Sequence, residues 1–169
     1  AKQLLVENEL QDLKEDVHLY TGKFRSELQA LEENVIVLSK TPPVQGIIRA
    51  RENNGVDPTD NSTTEEWKKR LTHIFSDFLE VRSNYISLRY IGVVDGGKEI
   101  VRVDKVRGSI NITHEKNLQA KGQRPYFKET VKLNEGQVYL STFSLNREHG
   151  KVSLPHTPVL RAAIPVYDE

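Results

Sequence analysis

The sequence predicts an α+β domain in which a long N-terminal helix and further helices pack on a central antiparallel β-sheet. An apolar stripe at helical spacing occupies about the first 40 residues. Later segments alternate apolar and polar residues, as half-buried strands do, and short turns join successive segments. Successive hairpins indicate antiparallel pairing with helices on one face, and 169 residues suffice for one domain of ordinary size.

The charge and composition of the chain exclude several functions. Lys and Arg number 24 and Asp and Glu number 24, so a nucleic-acid partner, which usually requires a basic excess, is not expected. Cysteine is absent, which excludes thiolate chemistry and cysteine-ligated metals and fits an extracytoplasmic bacterial domain. No apolar run reaches about 18 residues, so this stretch does not cross a membrane. Methionine is also absent, and we expect a fragment of a longer protein.

The first predicted helix covers residues 1–40. Its apolar stripe follows three- and four-residue steps and resumes after one extra four-residue step, at Leu10, Leu13, Val17, Tyr20, Phe24, Leu28, Leu31, Val35 and Leu38. A helix of about 38 residues is roughly 57 Å long, longer than the domain against which it packs. Either the whole helix lies along the core, or its first half projects and pairs with a second copy.

The next elements are bounded by turn and capping signals. The prolines of "TPP" at 41–43 end the first helix, and the polar residues 50–62 are predicted to form a loop. Ser62 with Glu65, or Thr63 with Glu66, forms a capping box that opens a second helix running to about Arg82.

Four strands and one short helix follow. "YISLRYIGVV" and "KEIVRVDKV" are strands joined by the turn "DGG" at 95–97. "RPYFKETVKL" is a short helix, and "QVYLSTFSL" and "PVLRAAIPV" are the third and fourth strands.

No motif for catalysis or for metal binding is present. HExxH, GxSxG, a P-loop and GxGxxG are all missing, so we expect no enzyme activity, cofactor or metal in this fragment. His149 and His156 flank a turn, and a metal site there is only a minor alternative.

Polar and aromatic residues converge in about the last 50 residues. Pro125 suits the first position of a helix, which places Arg124 at the N-cap, where its side chain cannot accept a backbone hydrogen bond. Tyr139 and Ser141 share one strand face, and Arg161 interrupts an apolar strand. Together with Tyr126, Phe127 and free N–H groups at the helix start, these residues would form a site for an anion such as a carboxylate. Alternatively, the two aromatic residues pack in the core and the arginines pair with acids, for example Glu129 or Glu148.

The segment "LQAKGQRPYFKETVKLNEGQVYLSTFSLNREHGKVSLPHTPVLRAAIPV" resembles the extracytoplasmic PAS-like sensor domains called PDC or double Cache domains. These domains occur in sensor histidine kinases, diguanylate cyclases and chemoreceptors, and residues 85–166 match their motifs in order. The resemblance implies a helix rising from a membrane segment and a sheet with a ligand pocket on one face. It also implies that Arg124, Tyr126 and Phe127 line the pocket, with Tyr139 and Ser141 on a neighbouring strand.

The resemblance therefore predicts an extracytoplasmic, periplasmic or extracellular sensor domain that binds a small molecule and signals through its long helix. It implies a membrane-distal domain at 41–169, truncated before a membrane-proximal subdomain, and a homodimer formed through the N-terminal helix. Members that sense amino acids carry an acid where this chain has Ser141, so we expect a simple carboxylate or another small anion. A dimerisation or protein-interaction module without a ligand is the alternative.

Overall fold

The computed structural model describes residues 2–145, 147–148, 151–152, 154 and 158–169. The predicted α+β class is confirmed. The helices are α1 (Lys2–Ser39), α2 (Pro42–Glu52), α3 (Thr64–Val81) and α4 (Pro125–Thr130), with one 3-10 turn at Glu115–Asn117. The main sheet consists of β1 (Ser87–Gly92), β2 (Lys98–Val106) and β3 (Ser109–Ile112).

The long helix α1 divides into two halves with different surroundings. Leu28, Leu31 and Val35 are half-buried and Leu38 is buried in the core. Leu13, Val17 and Tyr20, further towards the N-terminus, are 59%, 55% and 70% exposed. The first half of the helix therefore projects from the domain, whereas pairing with a second copy stays a prediction. None of the helices formed by the described residues is long and apolar enough to span a membrane.

A helix that the sequence reading missed follows the two prolines. The prediction that α1 ends at "TPP" is confirmed, but Thr41 then occupies the N-cap of α2, without a capping bond from its side chain, and α2 has proline at its first two positions. Proline fits there because the first N–H groups of a helix have no partner within it. The predicted loop at 50–62 is therefore wrong at its start, because α2 continues to Glu52.

The capping box of α3 is the predicted pair Thr63 and Glu66. The Thr63 side chain accepts a hydrogen bond from the Glu66 N–H, and the Glu66 side chain accepts one from the Thr63 N–H. The face of α3 opposite to solvent then buries Trp67, Leu71 and Phe75 against α2 and the sheet. Burial of such side chains contributes about 1.5–3 kcal/mol each.

Asp57 fastens the loop between α2 and α3. Its carboxylate is buried and accepts hydrogen bonds from the Arg49 guanidinium at 2.8 Å and from the Trp67 indole N–H at 3.0 Å. The backbone N–H and hydroxyl of Thr59 donate to the same carboxylate. These contacts, led by the hydrogen bond from Arg49, hold the pKa of Asp57 well below its usual range.

The predicted first hairpin is confirmed. β1 and β2 pair antiparallel, and the turn between them has Gly96 and Gly97 at φ +65° and +86°, conformations that favour glycine. The third strand of this sheet, β3, was not predicted. It follows a tight turn at Arg107 and Gly108, both with positive φ, and pairs antiparallel with β2.

The predicted third and fourth strands are wrong in their length. Where continuous strands were expected at 137–145 and 158–166, the structure has two-residue ladders, β4 (Tyr139–Leu140) with β9 (Ala162–Ala163) and β5 (Ser144–Leu145) with β8 (Pro158–Val159). Between these two ladders, the Arg161 N–H donates to the hydroxyl of Ser141. A further pair, β6 (Arg147–Glu148) with β7 (Lys151–Val152), lies in the connecting segment. The two histidines proposed for the minor metal alternative, His149 and His156, lie outside the described residues.

Candidate functional site

Arg124 occupies the N-cap of α4, as predicted, and does not cap the helix. Its backbone is extended (φ −74°, ψ 140°), its N–H donates to the Lys121 carbonyl at 2.9 Å, and its carbonyl accepts from Phe127 and Lys128. Its half-buried guanidinium has no hydrogen-bond acceptor or carboxylate partner among the residues that the structure describes. The helix start therefore fixes the position of the Arg124 side chain, but this side chain makes no capping hydrogen bond to the helix.

The expectation of several free N–H groups at this helix start is not met. Pro125 has no N–H, and the N–H groups of Phe127 and Lys128 already donate to the Arg124 carbonyl. With only six residues, α4 also has a small dipole. Side chains, and not the helix start, must therefore supply the attraction for an anion.

Tyr126 lies against Arg161. The guanidinium carbon of Arg161 is 5.6 Å from the centre of the Tyr126 ring, within the range of a cation–π contact. The Tyr126 hydroxyl is buried, and no hydrogen-bond partner for it exists within the described parts of the chain. Burial raises the pKa of Tyr126, and the nearby positive charges of Arg89, Arg161 and Arg124 oppose that shift.

Ser141 and Arg161 are joined directly. The Ser141 N–H donates to the Arg161 carbonyl and the Arg161 N–H donates to the Ser141 hydroxyl oxygen, both at 2.8 Å. The Arg161 side chain also donates to the Ser144 hydroxyl at 2.8 Å. Ser141 therefore positions Arg161 beside Tyr126, which is a structural task in addition to any contact with a ligand.

Two further charged residues at this site, Arg89 and Glu99, were missed by the sequence reading. The register of β1 and β2 shifts between Tyr90 and Ile91, so that Tyr90 faces Val101 and Ile91 faces Glu99. Ile100 is thus an extra residue in β2, and such a bulge reverses the face on which preceding side chains lie. Simple alternation would place Glu99 with Val101 on the core face, whereas the bulge places it on the opposite face.

On that opposite face, Glu99 lies between two arginines. Arg89 and Arg102 are direct cross-strand partners, and their guanidinium nitrogens are 3.4 and 3.8 Å from the fully buried Glu99 Oε1. Two like charges directly opposite each other destabilise a sheet, and the carboxylate offsets this. The other oxygen of Glu99 accepts the Gln119 N–H at 2.9 Å. The sequence contained a signal for this cluster, because Glu99 is a carboxylate within an apolar strand and a buried carboxylate requires charged or hydrogen-bonding partners.

Arg124 also lines an open cavity of about 450 Å³. Lys116, Lys121 and Arg147 contribute three more cationic side chains to its wall. The other five predicted site residues are not part of this lining. A second cavity, of about 570 Å³, lies between the start of α2 and α3 and is lined mainly by apolar side chains.

The predicted site residues are thus only partly assembled. Tyr126, Ser141 and Arg161 form one cluster, and Arg124 is close enough for its charge to affect Tyr126. Phe127 and Tyr139 are half-buried on neighbouring elements, since α4 packs against β4, but no ring contact or hydrogen bond of their side chains joins the cluster within the described residues.

The alternative prediction was that the arginines pair with internal acids, for example Glu129 or Glu148, and it is wrong for Glu129. That carboxylate pairs with Lys132 at 2.8 Å. The side chain of Glu148 lies outside what the structure describes. Among the described residues, no group of three or more His, Asp or Glu side chains could hold a metal ion.

Comparisons with known proteins give one family and a consistent fold. The family model described as "Bacterial histidine kinase, sensor domain" matches residues 52–169. No curated protein sequence matches the chain significantly.

Two solved structures resemble the chain. One is the extracellular domain of vpHK1S-Z8, a protein assigned as a histidine kinase, with a TM-score of 0.70, 22% identity and coverage of 91% of this chain and 51% of that one. The other is a domain of a protein assigned to the sensory box/GGDEF family from Vibrio parahaemolyticus, with a TM-score of 0.71, 22% identity and coverage of 91% and 54%. The chain therefore spans about half the length of the structures it resembles.

Proposed function

The chain belongs to the family of bacterial histidine kinase sensor domains, and we propose on this basis that it is the extracytoplasmic part of a membrane-bound receptor. The receptor is a histidine kinase or a diguanylate cyclase, and its catalytic module lies in a part of the protein outside this sequence. The sensor binds a small anion and transmits its occupancy through α1.

The domain organisation of the receptor follows from the same proposal. Residues 41–169 form the membrane-distal sensor domain, and a second, membrane-proximal subdomain follows them. The support is that the chain corresponds to about half of each similar structure. Residues 1–40 form the helix that leads from the membrane into the sensor.

The observation that carries the ligand proposal is the combination of Arg124 and Tyr126. In the described part of the chain, the Arg124 guanidinium has no acceptor and the buried Tyr126 hydroxyl has no partner. A buried polar group without a hydrogen bond, here the Tyr126 hydroxyl, costs about 1–3 kcal/mol, so an anion held by Arg124 that also accepts from this hydroxyl would recover that free energy. A carboxylate accepts hydrogen bonds at both oxygens and suits a guanidinium.

The charges around Tyr126 favour an anion over an amino acid. Three arginines, Arg89, Arg124 and Arg161, and one acid, Glu99, act on Tyr126 electrostatically. Ser141 supplies no carboxylate for an ammonium group. Glu99 is the acid nearest in the sheet, but it is already within 3.4 Å of Arg89 and 3.8 Å of Arg102. In the ligand-free domain, the negative charge of Glu99 is therefore already offset by Arg89 and Arg102.

A continuous set of contacts leads from this cluster to α1. The Arg161 side chain bonds to Ser144, and the neighbouring Phe143 stacks on Phe24 of α1 with ring centres 5.8 Å apart. β9 also packs against α1. A ligand that binds two arrangements of this contact with different affinity would shift their populations and so move the helix.

A thermal-shift screen tests the proposal with the domain as it stands. Small carboxylates, phosphate, amines and sugars are added singly, and at about 100 times Kd a ligand stabilises by about 2.7 kcal/mol. We expect an anion to raise Tm and Arg124→Ala to abolish that shift, whereas Lys128→Ala, which removes an exposed charge on the same helix, leaves it. A ligand whose affinity survives Arg124→Ala would overturn the site.

A homodimer through α1 is the partner that we propose for the receptor. The exposed apolar stripe formed by Leu13, Val17 and Tyr20 supports it, because stripes of this spacing bury themselves against a second helix. Val17→Glu should lower the dimer fraction in sedimentation, while Lys14→Glu on the same helix should not. If dimerisation persists in Val17→Glu and no compound shifts Tm, a ligand-free module that interacts through another surface explains the protein better.

A further inference from the structure

The cavity lined by Arg124 has an unusual charge for a chain with no net charge. Its wall contains Lys116, Lys121, Arg124 and Arg147, and among the described lining residues none is acidic. Lys121 is only 5% exposed, and its ammonium group donates to the Gln119 side chain at 2.6 Å. A cleft lined by charges of one sign raises the local concentration of ions of the opposite sign, here anions.

The wall is fixed to the main sheet. Glu99 and Gln119 exchange hydrogen bonds, with the Glu99 N–H donating to the Gln119 carbonyl, and the Lys121 N–H donates to the Gly97 carbonyl at 2.7 Å. Gly97 and Gly122 approach so closely that a Cβ on Gly97 would lie 2.3 Å from the Gly122 nitrogen. The backbone from Gln119 to Gly122, which carries Lys121 and leads into Arg124, is therefore held against the sheet before any ligand binds.

The number of cations exceeds what a monoanion can use. The two oxygens of a single carboxylate can be bound by one guanidinium group, whereas Lys116, Arg124 and Arg147 together can contact two or more anionic groups. A volume of about 450 Å³ fits a small metabolite. We propose that this cavity binds a small polyanion, a molecule with two or more carboxylate or phosphate groups, with Lys116 and Arg147 contacting the anionic group that Arg124 does not.

This inference rests on the proposed function, because Arg124 serves both. The polyanion inference also requires that ligand affinity depends on Lys116 and Arg147, which lie outside the six site residues predicted from the sequence. The polyanion inference and the proposed function can therefore be contradicted by different results.

Calorimetric titrations at matched ionic strength provide the test, with citrate and pyrophosphate as the two polyanions and acetate as the monoanion. We expect one polyanion to bind at least about tenfold more tightly than acetate, and the identity of that polyanion tells a carboxylate ligand from a phosphate ligand. Lys116→Gln and Arg147→Gln should each weaken that polyanion by about tenfold. Lys128→Gln, which removes an exposed charge outside the cavity, should change the affinity less than twofold.

Two results would overturn the inference. Equal affinity for acetate and for both polyanions would remove the need for more than one anionic subsite. The polyanion inference would also be wrong if the affinity for an anion depended on Arg124 but was unchanged in Lys116→Gln and in Arg147→Gln. That result would not contradict the proposed function. Conversely, a polyanion lost in Arg147→Gln but retained in Arg124→Ala would support the cavity and contradict the Arg124 anchor.

Discussion

Arg161 holds Tyr126 and Ser141 in one cluster. Its guanidinium carbon lies 5.6 Å from the centre of the Tyr126 ring, while its backbone exchanges two hydrogen bonds with Ser141. The first contact joins the last strands of the chain to α4, and the second joins them to the end of β4. Removing either contact should therefore have a measurable and different effect.

Tyr126→Phe should separate binding from stability. The substitution removes a buried hydroxyl that has no partner among the described residues, so the ligand-free domain should lose no stability and gain up to about 1 kcal/mol. Ligand affinity should fall several-fold, because the hydroxyl is the donor proposed for the anion. Urea denaturation and titration measure the two effects.

Tyr85→Phe is the matched control for that experiment. The Tyr85 hydroxyl accepts a hydrogen bond from the Asn34 side chain at 2.8 Å, so its loss should destabilise the domain by about 1 kcal/mol and leave affinity unchanged. A loss of stability in Tyr126→Phe as large as that in Tyr85→Phe would show that the Tyr126 hydroxyl has a partner inside the protein.

Ser141→Ala should remove a hydrogen bond to the Arg161 backbone and destabilise the domain. The Ser141 hydroxyl oxygen accepts the Arg161 N–H, so we expect a destabilisation of about 1 kcal/mol. Ser144→Ala removes an exposed bond to the Arg161 side chain and should cost less. Chemical denaturation of both variants checks the order, and a larger cost at Ser144 would contradict it.

Acid should weaken the hydrogen bonds that the Asp57 carboxylate accepts and so destabilise the domain. The pKa of this carboxyl is depressed in the folded state, chiefly by the Arg49 hydrogen bond, whereas an unfolded aspartate has a pKa of about 3.9. The stabilisation is therefore present above that value and is lost as the pH falls below it. In denaturation curves between pH 6 and pH 3, Asp57→Asn should be less stable at pH 6 and depend less on pH than the wild type.

Asp60→Asn is the control for Asp57→Asn, because Asp60 is an exposed carboxylate of the same loop, which accepts the Ser62 N–H and lies 3.6 Å from Arg70. Its pH dependence should match that of the wild type. If Asp57→Asn and the wild type lose stability in parallel below pH 4, other carboxyls account for the acid sensitivity.

Gly97→Ala should distort the cavity wall. Gly97 has φ +86°, and an added Cβ would lie 2.3 Å from the Gly122 nitrogen, so strain and a backbone clash combine. Gly96→Ala shares the positive φ but meets no atom within 4 Å. We expect a cost of about 1 kcal/mol for Gly96→Ala and about 3 kcal/mol or more for Gly97→Ala, measured by denaturation. Equal costs would show that the close approach is not needed.

The sequence predicted those elements whose signals are local. The capping box at Thr63 and Glu66, the bounds of β2 and the proline-started helix after Arg124 all follow from residues a few positions apart. α2 was missed because the prolines at 42 and 43 were interpreted only as the end of α1, although proline is equally suited to a helix start.

The candidate site was less accessible from the sequence because it depends on register and packing. The bulge at Ile100 moves Glu99 to the other face of the sheet, and nothing in strict alternation predicts it. The broken strands at 139–145 and 158–163 arise where Ser141 and Arg161 bond through a side chain. The roles of the predicted ligand residues stay predictions.

The anchored C-terminal end and projecting first half of α1 have a geometric consequence. The core buries only the last third or so of this helix and Phe24 stacks on Phe143, while residues 2–23 extend over about 33 Å at 1.5 Å per residue. By geometry alone, a tilt of about 3° at the anchored end would displace the far end by about 2 Å over that length. A rearrangement at the sensor too small to alter its own fold would still reach the far end as a shift comparable to an atomic radius.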